Sequence, residues 1–388
     1  MDLQFSEEQK NLRDMVKTVC ADSSTTDDVR KMENDPVGLP GAFWDQLKET
    51  GLLAMRLPEA HGGMGLTLLD CVVIFEELGR GLVSGPIFES AVMAVTAISK
   101  AGTDAQRSAL LENLGAGDTI ITPAWLEPDN GFGPEGVQMR AAITSEGYRL
   151  SGVKRHVFYG QAADKLLVLV RTGDDAEALD LLLVDRDTPG VELEQQLSMA
   201  SDTQYKVTFT DVVVPADNRV GGAHDGWRIW KETMLEGLPL LAAYAVGGAQ
   251  RALDITVQYS KEREQFDKPI GAFQALAHYM SDAVAVLDGA KTLVLEAGWA
   301  FDEGNASPRL PAMAKLFACN AFRDTTAMAE QVYGGYGFTL EYDIQLYFRR
   351  AKQLQLNWWD SRYLEELIAA DVLDGDSDVT IPDPFAVS

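Results

Sequence analysis

QVYGGYGF, residues Gln331–Phe338, is the most informative stretch of the chain, and it leads through Arg349–Lys352 to Trp358–Asp360. Three of the four positions from Gly334 to Gly337 are glycine. Glycine takes positive φ without a steric penalty and lets a ligand approach the backbone closely. Helix C-termini also use glycine, so the turn alone is weak evidence for a ligand site.

The composition is that of an acidic globular protein. The 388 residues are 46% hydrophobic and 24% charged, which suits an ordinary globular chain with two or three sub-domains. The formal net charge is −26, from 59 acidic and 33 basic residues. Nucleic-acid binding needs clustered Lys and Arg, so this balance argues against it.

Targeting and metal-binding signals are lacking in the sequence. Cys20, Cys71 and Cys319 are far apart and belong to no CxxC or Cys/His cluster, so we expect neither a disulfide framework nor a metal site. Residues 1–5 carry no basic or apolar signal region, and no window offers about 20 continuous apolar residues. We therefore expect a cytoplasmic protein without a membrane segment.

The hydrophobic spacing predicts a mainly α protein with a central β domain. Helical spacing and two capping boxes, Ser6–Gln9 and Thr103–Gln106, mark the N-terminal part. Short apolar and β-branched runs at 165–171, 179–184 and 205–214 predict strands in the middle. Long helical runs then return and indicate a bundle. The predicted divisions are 1–120 helical, 121–223 β, 224–370 helical bundle and 371–388 acidic tail.

Five segments carry motifs beyond secondary structure: Met1–Arg13, Leu57–Leu66, Phe209–Pro215, Lys261–Gln274 and Gln331–Gly337. Together and in this order they resemble the acyl-CoA dehydrogenase family of flavoproteins, over nearly the whole chain. The resemblance implies that family's fold: an N-terminal helical domain, a β-barrel-like middle domain and a C-terminal four-helix bundle. It also implies FAD as the cofactor and an acyl-CoA thioester as the substrate.

The chemistry that the resemblance implies is α,β-dehydrogenation. A carboxylate removes the α-proton while the β-hydrogen leaves as hydride to flavin N5. Hydrogen bonds to the thioester carbonyl stabilise the developing enolate charge.

The resemblance assigns six residues to FAD binding across a subunit interface. Arg263 would contact the diphosphate, as a bidentate guanidinium suits. The others would line or close over the cofactor: Phe266, Gln274, Gln331, Gly334 and Gly335. Surface charge and helix packing are the alternative explanations for Arg263, Phe266 and Gln274. A cofactor shared between subunits implies a dimer or tetramer, with copies of this chain or with a homologous partner.

The flavin loops of the middle domain depart from the family pattern. Leu126 stands where the family has a threonine hydroxyl. His156 replaces the tryptophan that packs on the flavin, and Phe158 replaces the Thr or Ser near N5. A flat ring at 156 could still stack, and a structural histidine is the alternative.

The catalytic base is missing from both places where the family carries it. One position is Trp358, and Asp360 lies two residues further on. The other is Gly237, with Glu236 beside it and Leu238 where a substrate-contacting arginine is often found. One residue of helix is about 100° of rotation, so Glu236 would need a register shift to point inward.

Three hypotheses follow. In the first, Asp360 or Glu236 is the base of a rearranged site; a helix cap and a solvated helix residue are their respective alternatives. In the second, the chain is half of a hetero-oligomer, of the kind known for family members acting on bulky CoA esters. In the third, it is a non-catalytic relative. A flavin monooxygenase of the same fold is a further possibility, because such enzymes need no α-proton abstraction.

Overall fold

The computed structural model describes residues 4–128 and 130–375. The N-terminal part is helical: α1 (Glu7–Ser23), α2 (Thr26–Lys31), α3 (Gly41–Glu49), α4 (Leu68–Arg80), α5 (Val95–Ala101) and α6 (Asp104–Ala116). A π-helical segment, Ile87–Ala94, runs directly into α5 and is buried throughout. This segment later forms one wall of the candidate site.

Reciprocal side-chain caps begin α1 and α6. The hydroxyl of Ser6 accepts from the amide of Gln9, and that of Thr103 accepts from the amide of Gln106. Each glutamine side chain in turn accepts from the backbone N–H of its capping residue. Both predicted capping boxes are therefore confirmed.

Two four-stranded sheets follow. Their strands are β1 (Ile121–Ala124), β2 (Ala141–Thr144), β3 (Gly147–Phe158), β4 (Lys165–Arg171), β5 (Leu179–Asp185), β6 (Val191–Gln196), β7 (Gln204–Val214) and β8 (Arg219–Val220). One sheet has the order β1-β4-β5-β8 and contains a parallel β1–β4 pair; the other has the order β2-β3-β7-β6 and is antiparallel. The strands predicted from the three apolar runs are confirmed.

The C-terminal part is a helical bundle. It consists of α7 (Gly226–Glu262), the short hairpin β9 (Glu264–Gln265) and β10 (Lys268–Pro269), α8 (Gln274–Asp302), α9 (Arg309–Tyr333), α10 (Ile344–Leu356) and α11 (Ser361–Leu373). The 37 residues of α7 pack against α4, α8, α9 and α10. This helix therefore joins the N-terminal helices to the bundle. The predicted fold class, mainly α with a central β domain, is confirmed.

Some expectations lie outside the described residues. Residues 1–3 of the first motif, Asp129 in the first flavin loop and residues 376–388 of the predicted acidic tail belong to this group. Helix α11 extends to Leu373, so the first residues assigned to the tail are helical. The division boundaries stay predictions. Within the described chain, no helix combines the length and the apolar character needed to cross a bilayer.

Candidate functional site

Trp358 lies in a closed cluster of aromatic rings between α10 and α11. Its ring stacks on Phe158, with centroids 5.6 Å apart and planes 16° apart. It meets Phe88 edge-on at 4.9 Å and lies 6.5 Å from Trp230. Only 6% of Trp358 is exposed. Aromatic carbon thus fills the place at which the resemblance puts a catalytic carboxylate.

A buried lysine holds the backbone that places this ring. Trp358 and Trp359 have φ values of +54° and +69°, a region that bulky side chains rarely adopt. Lys315 is 1% exposed, and its ammonium donates to the carbonyl oxygens of Leu354 (3.1 Å), Asn357 (2.9 Å) and Trp359 (2.9 Å). Burial lowers the pKa of Lys315. These bonds satisfy carbonyls at the end of α10 and in the turn that leads to α11.

Replacing Lys315 with methionine should therefore destabilise the protein. The side chain keeps its length, but three carbonyls lose the ammonium donor and only that of Leu354 keeps another, the Cys319 thiol, so we expect a loss of about 2–4 kcal/mol in the free energy of unfolding. Urea denaturation measures it, with Lys231→Met as the control because Lys231 is exposed on α7. Equal losses in the two variants would contradict the role given to Lys315.

Gly237 marks the second position at which the family carries its glutamate. A Cβ built there would lie 3.0 Å from Cζ of Phe88 and 3.3 Å from Sδ of Met93. Carbon contacts are normally about 3.5–4.0 Å, so any side chain at 237 requires the Phe88 ring to move. Both family positions for the base, 358 and 237, therefore adjoin the same phenylalanine.

Glu236, beside Gly237, belongs to a buried ion-paired group. It is 2% exposed and forms ion pairs with both Arg56 and Lys100. The interpretation of Glu236 as a solvated helix residue is therefore wrong. Arg56 and Lys100 belong to the N-terminal part, so their shared ion pairs with this buried carboxylate tie α7 to that part of the chain.

Asp360 begins α11. Its Oδ1 accepts from the backbone N–H of Tyr363 at 2.9 Å, the geometry of an N-cap. Its side chain is half-buried. In the folded chain, Asp360 therefore caps α11, which was the alternative to its being a catalytic base.

The three residues of the flavin loops lie on or near β3. Leu126 is half-buried, and its carbonyl accepts from the amide of Arg155 at 2.8 Å. His156 is exposed, has φ +52°, and its Nδ1 lies 2.8 Å from Oε1 of Gln204. Phe158 faces the ring of Trp358 instead of solvent. Of these three residues, Phe158 joins the aromatic cluster through its ring.

A second group of predicted residues lies on an exposed surface. Its members are all solvent-accessible: Arg263, Phe266, Gln274, Gln331, Gly334 and Gly335. Arg263 lies 5.5 Å from the ring of Tyr336, which joins the end of α7 to the glycine turn. Gly334 has φ +63° and open space around it, so the turn can accept a close neighbour.

The surroundings of Trp358 and the exposed surface at Arg263 adjoin different parts of α7. Gly237 and Arg263 are separated by 26 residues, or roughly 39 Å along a helix axis. Within one chain, the residues near Trp358 and the surface at Arg263 therefore do not adjoin one another.

Comparison with known proteins places this geometry in a family. The acyl-CoA dehydrogenase N-terminal, middle and C-terminal domain models match residues 6–118, 123–212 and 224–360. The mitochondrial isobutyryl-CoA dehydrogenase of Dictyostelium discoideum is 31% identical over 78% of this chain and 74% of its own length. The chain belongs to the acyl-CoA dehydrogenase family. This family is FAD-dependent.

Solved members of the family have the same fold. Butyryl-CoA dehydrogenase from Megasphaera elsdenii has a TM-score of 0.89 at 26% identity, covering 96% of this chain and 100% of that one. The ChsE4-ChsE5 complex from Mycobacterium tuberculosis has a TM-score of 0.86 at 27% identity, covering 96% and 98%. The solved structures similar to this chain thus include a heteromeric complex.

Several residues of the site could not be identified from the sequence. Phe88 belongs to none of the sequence motifs, and its contact with position 237 depends on how the π-helical segment packs against α7. Lys315 carried no sequence signal that separates it from a surface cation. Glu89 has a sequence signal, because it is the single charged residue in the apolar run 87–95. It lines a cavity next to Trp358.

Proposed function

We propose that this chain is one subunit of a hetero-oligomeric acyl-CoA dehydrogenase that carries out FAD-linked α,β-dehydrogenation of an acyl-CoA thioester. A homologous partner subunit supplies the catalytic carboxylate. The observation that carries the proposal is the Phe88 ring, which adjoins both family positions for the base, Trp358 and Gly237. The two candidate carboxylates, Asp360 and Glu236, are engaged in a helix cap and in ion pairs.

The FAD-binding residues fit this division between subunits. The exposed surface at Arg263 suits the diphosphate of a cofactor held mainly by a neighbour, because a guanidinium pairs with phosphate through charged hydrogen bonds. The residues of this chain that would face the flavin ring fit the cofactor poorly. Leu126 and Phe158 have no side-chain hydrogen-bonding groups, and Phe158 is stacked on Trp358.

This chain therefore helps to bind the cofactor and supports the structure of the complex. FAD, when bound, supplies the hydride acceptor. Arg263 holds negative charge at the subunit boundary, and the turn at Gly334 lets the backbone approach the cofactor. The α-proton goes to a carboxylate of the partner. The cavity at Trp358, about 90 Å³, is too small for a bulky ring system, so a bulky acyl chain would lie in the partner's site.

Flavin occupancy tests the proposal. In the complex purified with its partner, Arg263→Ala should weaken FAD binding by about ten- to a hundredfold, the value of a charged hydrogen bond. The FAD-to-protein ratio after dialysis is the measurement. Arg228→Ala is the control, because Arg228 is an exposed arginine in the first turn of α7, at the end of that helix away from Arg263. Unchanged FAD affinity in Arg263→Ala would contradict the assignment of this surface.

A substitution at Asp360 separates a cap from a base. Asparagine caps helices as well as aspartate does, so Asp360→Asn should keep the stability and leave turnover of the complex within about twofold. Asp360→Ala should lose about 1 kcal/mol of stability without a further effect on chemistry. Steady-state turnover checks both variants. If both Asp360→Asn and Asp360→Ala lost turnover while FAD stayed bound, Asp360 would be identified as the base.

A further inference from the structure

The guanidinium of Arg263 has no acidic partner among residues 4–128 and 130–375. Arg263 directly follows α7, its side chain is exposed, and no carboxylate of the described chain lies within ion-pair distance of it. Arg228, at the other end of the same helix, pairs with both Asp225 and Glu232. In a chain with a formal net charge of −26, the charge of Arg263 is therefore available to an anion from outside the chain.

An aromatic ring holds this guanidinium. Cζ of Arg263 lies 5.5 Å from the ring centroid of Tyr336, within the roughly 6 Å over which a cation and an aromatic face attract each other. Tyr336 ends the short turn Gly334–Tyr336 and is 44% exposed. Its carbonyl accepts from the backbone N–H and from the hydroxyl of Thr339, at 3.2 and 3.1 Å. These two bonds fix the backbone that carries the ring.

Three further tyrosines support the ring of Tyr336. The ring centroid of Tyr342 lies 5.3 Å from that of Tyr336 and 5.7 Å from that of Tyr333. Tyr333 in turn stacks on Tyr259 of α7, with centroids 4.1 Å apart and planes 12° apart, and its hydroxyl donates to the carbonyl of Ile255 at 3.2 Å. Aromatic pairs at these distances attract each other beyond the burial of their surfaces. The four tyrosines therefore form a column that connects the glycine turn to α7.

The backbone of Arg263 is fixed as well. Its amide donates to the carbonyl of Tyr259, and its carbonyl accepts from the amide of Ile270, each at 2.8 Å. Only the long side chain keeps rotamer freedom, and an arginine loses much of that freedom when it binds a ligand. A contact that holds the guanidinium beforehand lowers this ordering cost and so strengthens binding. The ring of Tyr336 is placed to provide such a contact.

We propose that Tyr336 is a positioning residue for Arg263, and that its ring holds the guanidinium where the diphosphate of FAD binds at the subunit boundary. The inference rests on the proposed function, because it takes that diphosphate as the ligand of Arg263. It deepens the proposed function, because the turn then contributes an aromatic side chain to the cofactor surface in addition to its glycine backbone.

Titration of FAD into the apo form of the complex with its partner tests the proposal. Tyr336→Leu should raise the dissociation constant of FAD about three- to tenfold, the value of a cation–π contact, whereas Tyr336→Phe keeps the ring and should stay within about twofold of the wild type. Tyr279→Leu is the matched control, because Tyr279 is a 51% exposed tyrosine on α8. Thermal unfolding confirms that each variant is folded. Unchanged affinity in Tyr336→Leu, or equal losses in the leucine and phenylalanine variants, would overturn the proposal.

A double-variant cycle shows whether Tyr336 acts through Arg263. If it does, Tyr336→Leu should change the dissociation constant of FAD by less than about twofold in the Arg263→Ala background. The full three- to tenfold loss in that background would overturn the proposal. Unchanged affinity in Arg263→Ala alone would contradict the proposed FAD surface itself. A loss in Arg263→Ala with none in Tyr336→Leu would contradict only the role of Tyr336.

NMR of the full chain without FAD tests the contact independently of the proposed function. The ring current of Tyr336 should shift the Nε–H proton of Arg263 upfield in the wild type and in Tyr336→Phe, relative to Tyr336→Leu. Loss of the signal in Arg263→Ala assigns it. The same shift in all three proteins would show that the ring does not hold the guanidinium, and it would overturn the proposal whatever the FAD affinity.

Discussion

Replacing Trp358 with alanine is expected to lower the free energy of unfolding by about 3–5 kcal/mol, the usual cost of removing a buried tryptophan. The ring is 6% exposed and contacts Phe88, Phe158 and Trp230, so its removal leaves a void between three elements. The left-handed backbone at position 358 also remains strained with alanine, so the substitution offers no relief there.

Urea denaturation at a fixed protein concentration measures this effect, because any oligomerisation couples stability to concentration. Leu197→Ala is the control: Leu197 is 79% exposed, and we expect its loss to stay within about 0.5 kcal/mol. A cost for Trp358→Ala as small as that of the control would mean that the aromatic cluster is loosely packed. The base position would then be open to a carboxylate from elsewhere.

Replacing Glu89 with glutamine is expected to stabilise the protein, and to do so more as the pH rises. Burial raises the pKa of Glu89 from its ordinary value of 4.5 to about 8. The neighbouring Asp202 raises it further, while the Glu89 backbone N–H and Arg350 lower it. Tyr159 and Tyr244 also line this cavity, and burial raises the pKa of both, so neither loses its proton below pH 8.

The sign of this pH dependence of stability follows from proton binding by Glu89. Between pH 4.5 and about 8 the folded chain keeps the proton of Glu89 while the unfolded chain has lost it. Stability therefore falls as the pH rises through this window. Glutamine resembles the protonated acid and has no such dependence. We expect a stabilisation of about 1 kcal/mol or less at pH 5 and roughly 2–5 kcal/mol at pH 8.

Denaturation curves of the wild type and Glu89→Gln at several pH values between 5 and 8 provide the measurement. The difference between the two proteins at each pH isolates this group from all others that titrate. Glu49→Gln, at an exposed position, should show no pH-dependent difference. A difference that is flat with pH, or a destabilisation that grows with pH, would show that Glu89 is ionised in the folded protein.

The sequence predicts secondary structure well where the signal is local. The capping boxes at Ser6 and Thr103 and the strands at 165–171 and 205–214 depend on neighbours a few residues away, and all are found in the fold. The substitution of the base by Trp358 is also evident from the sequence, because the motif before it fixes the alignment.

The interior of the site depends on contacts between distant segments. Phe88 meets position 237 only because the π-helical segment packs on α7, and no local pattern gives that approach. Glu236 finds Arg56 and Lys100 from two other elements, so its burial could not be inferred from its own helix. Lys315 caps α10 from α9 for the same reason.

The most direct test of the hetero-oligomer account is anaerobic reduction of bound flavin by acyl-CoA esters, followed through the absorption band of oxidised flavin. We expect that the chain purified alone and supplied with FAD leaves the flavin oxidised, and that the complex with its homologous partner reduces it. Reduction of FAD by acyl-CoA in a homo-oligomer of this chain would contradict the account. So would reduction only by a supplied reductant, followed by oxygen consumption.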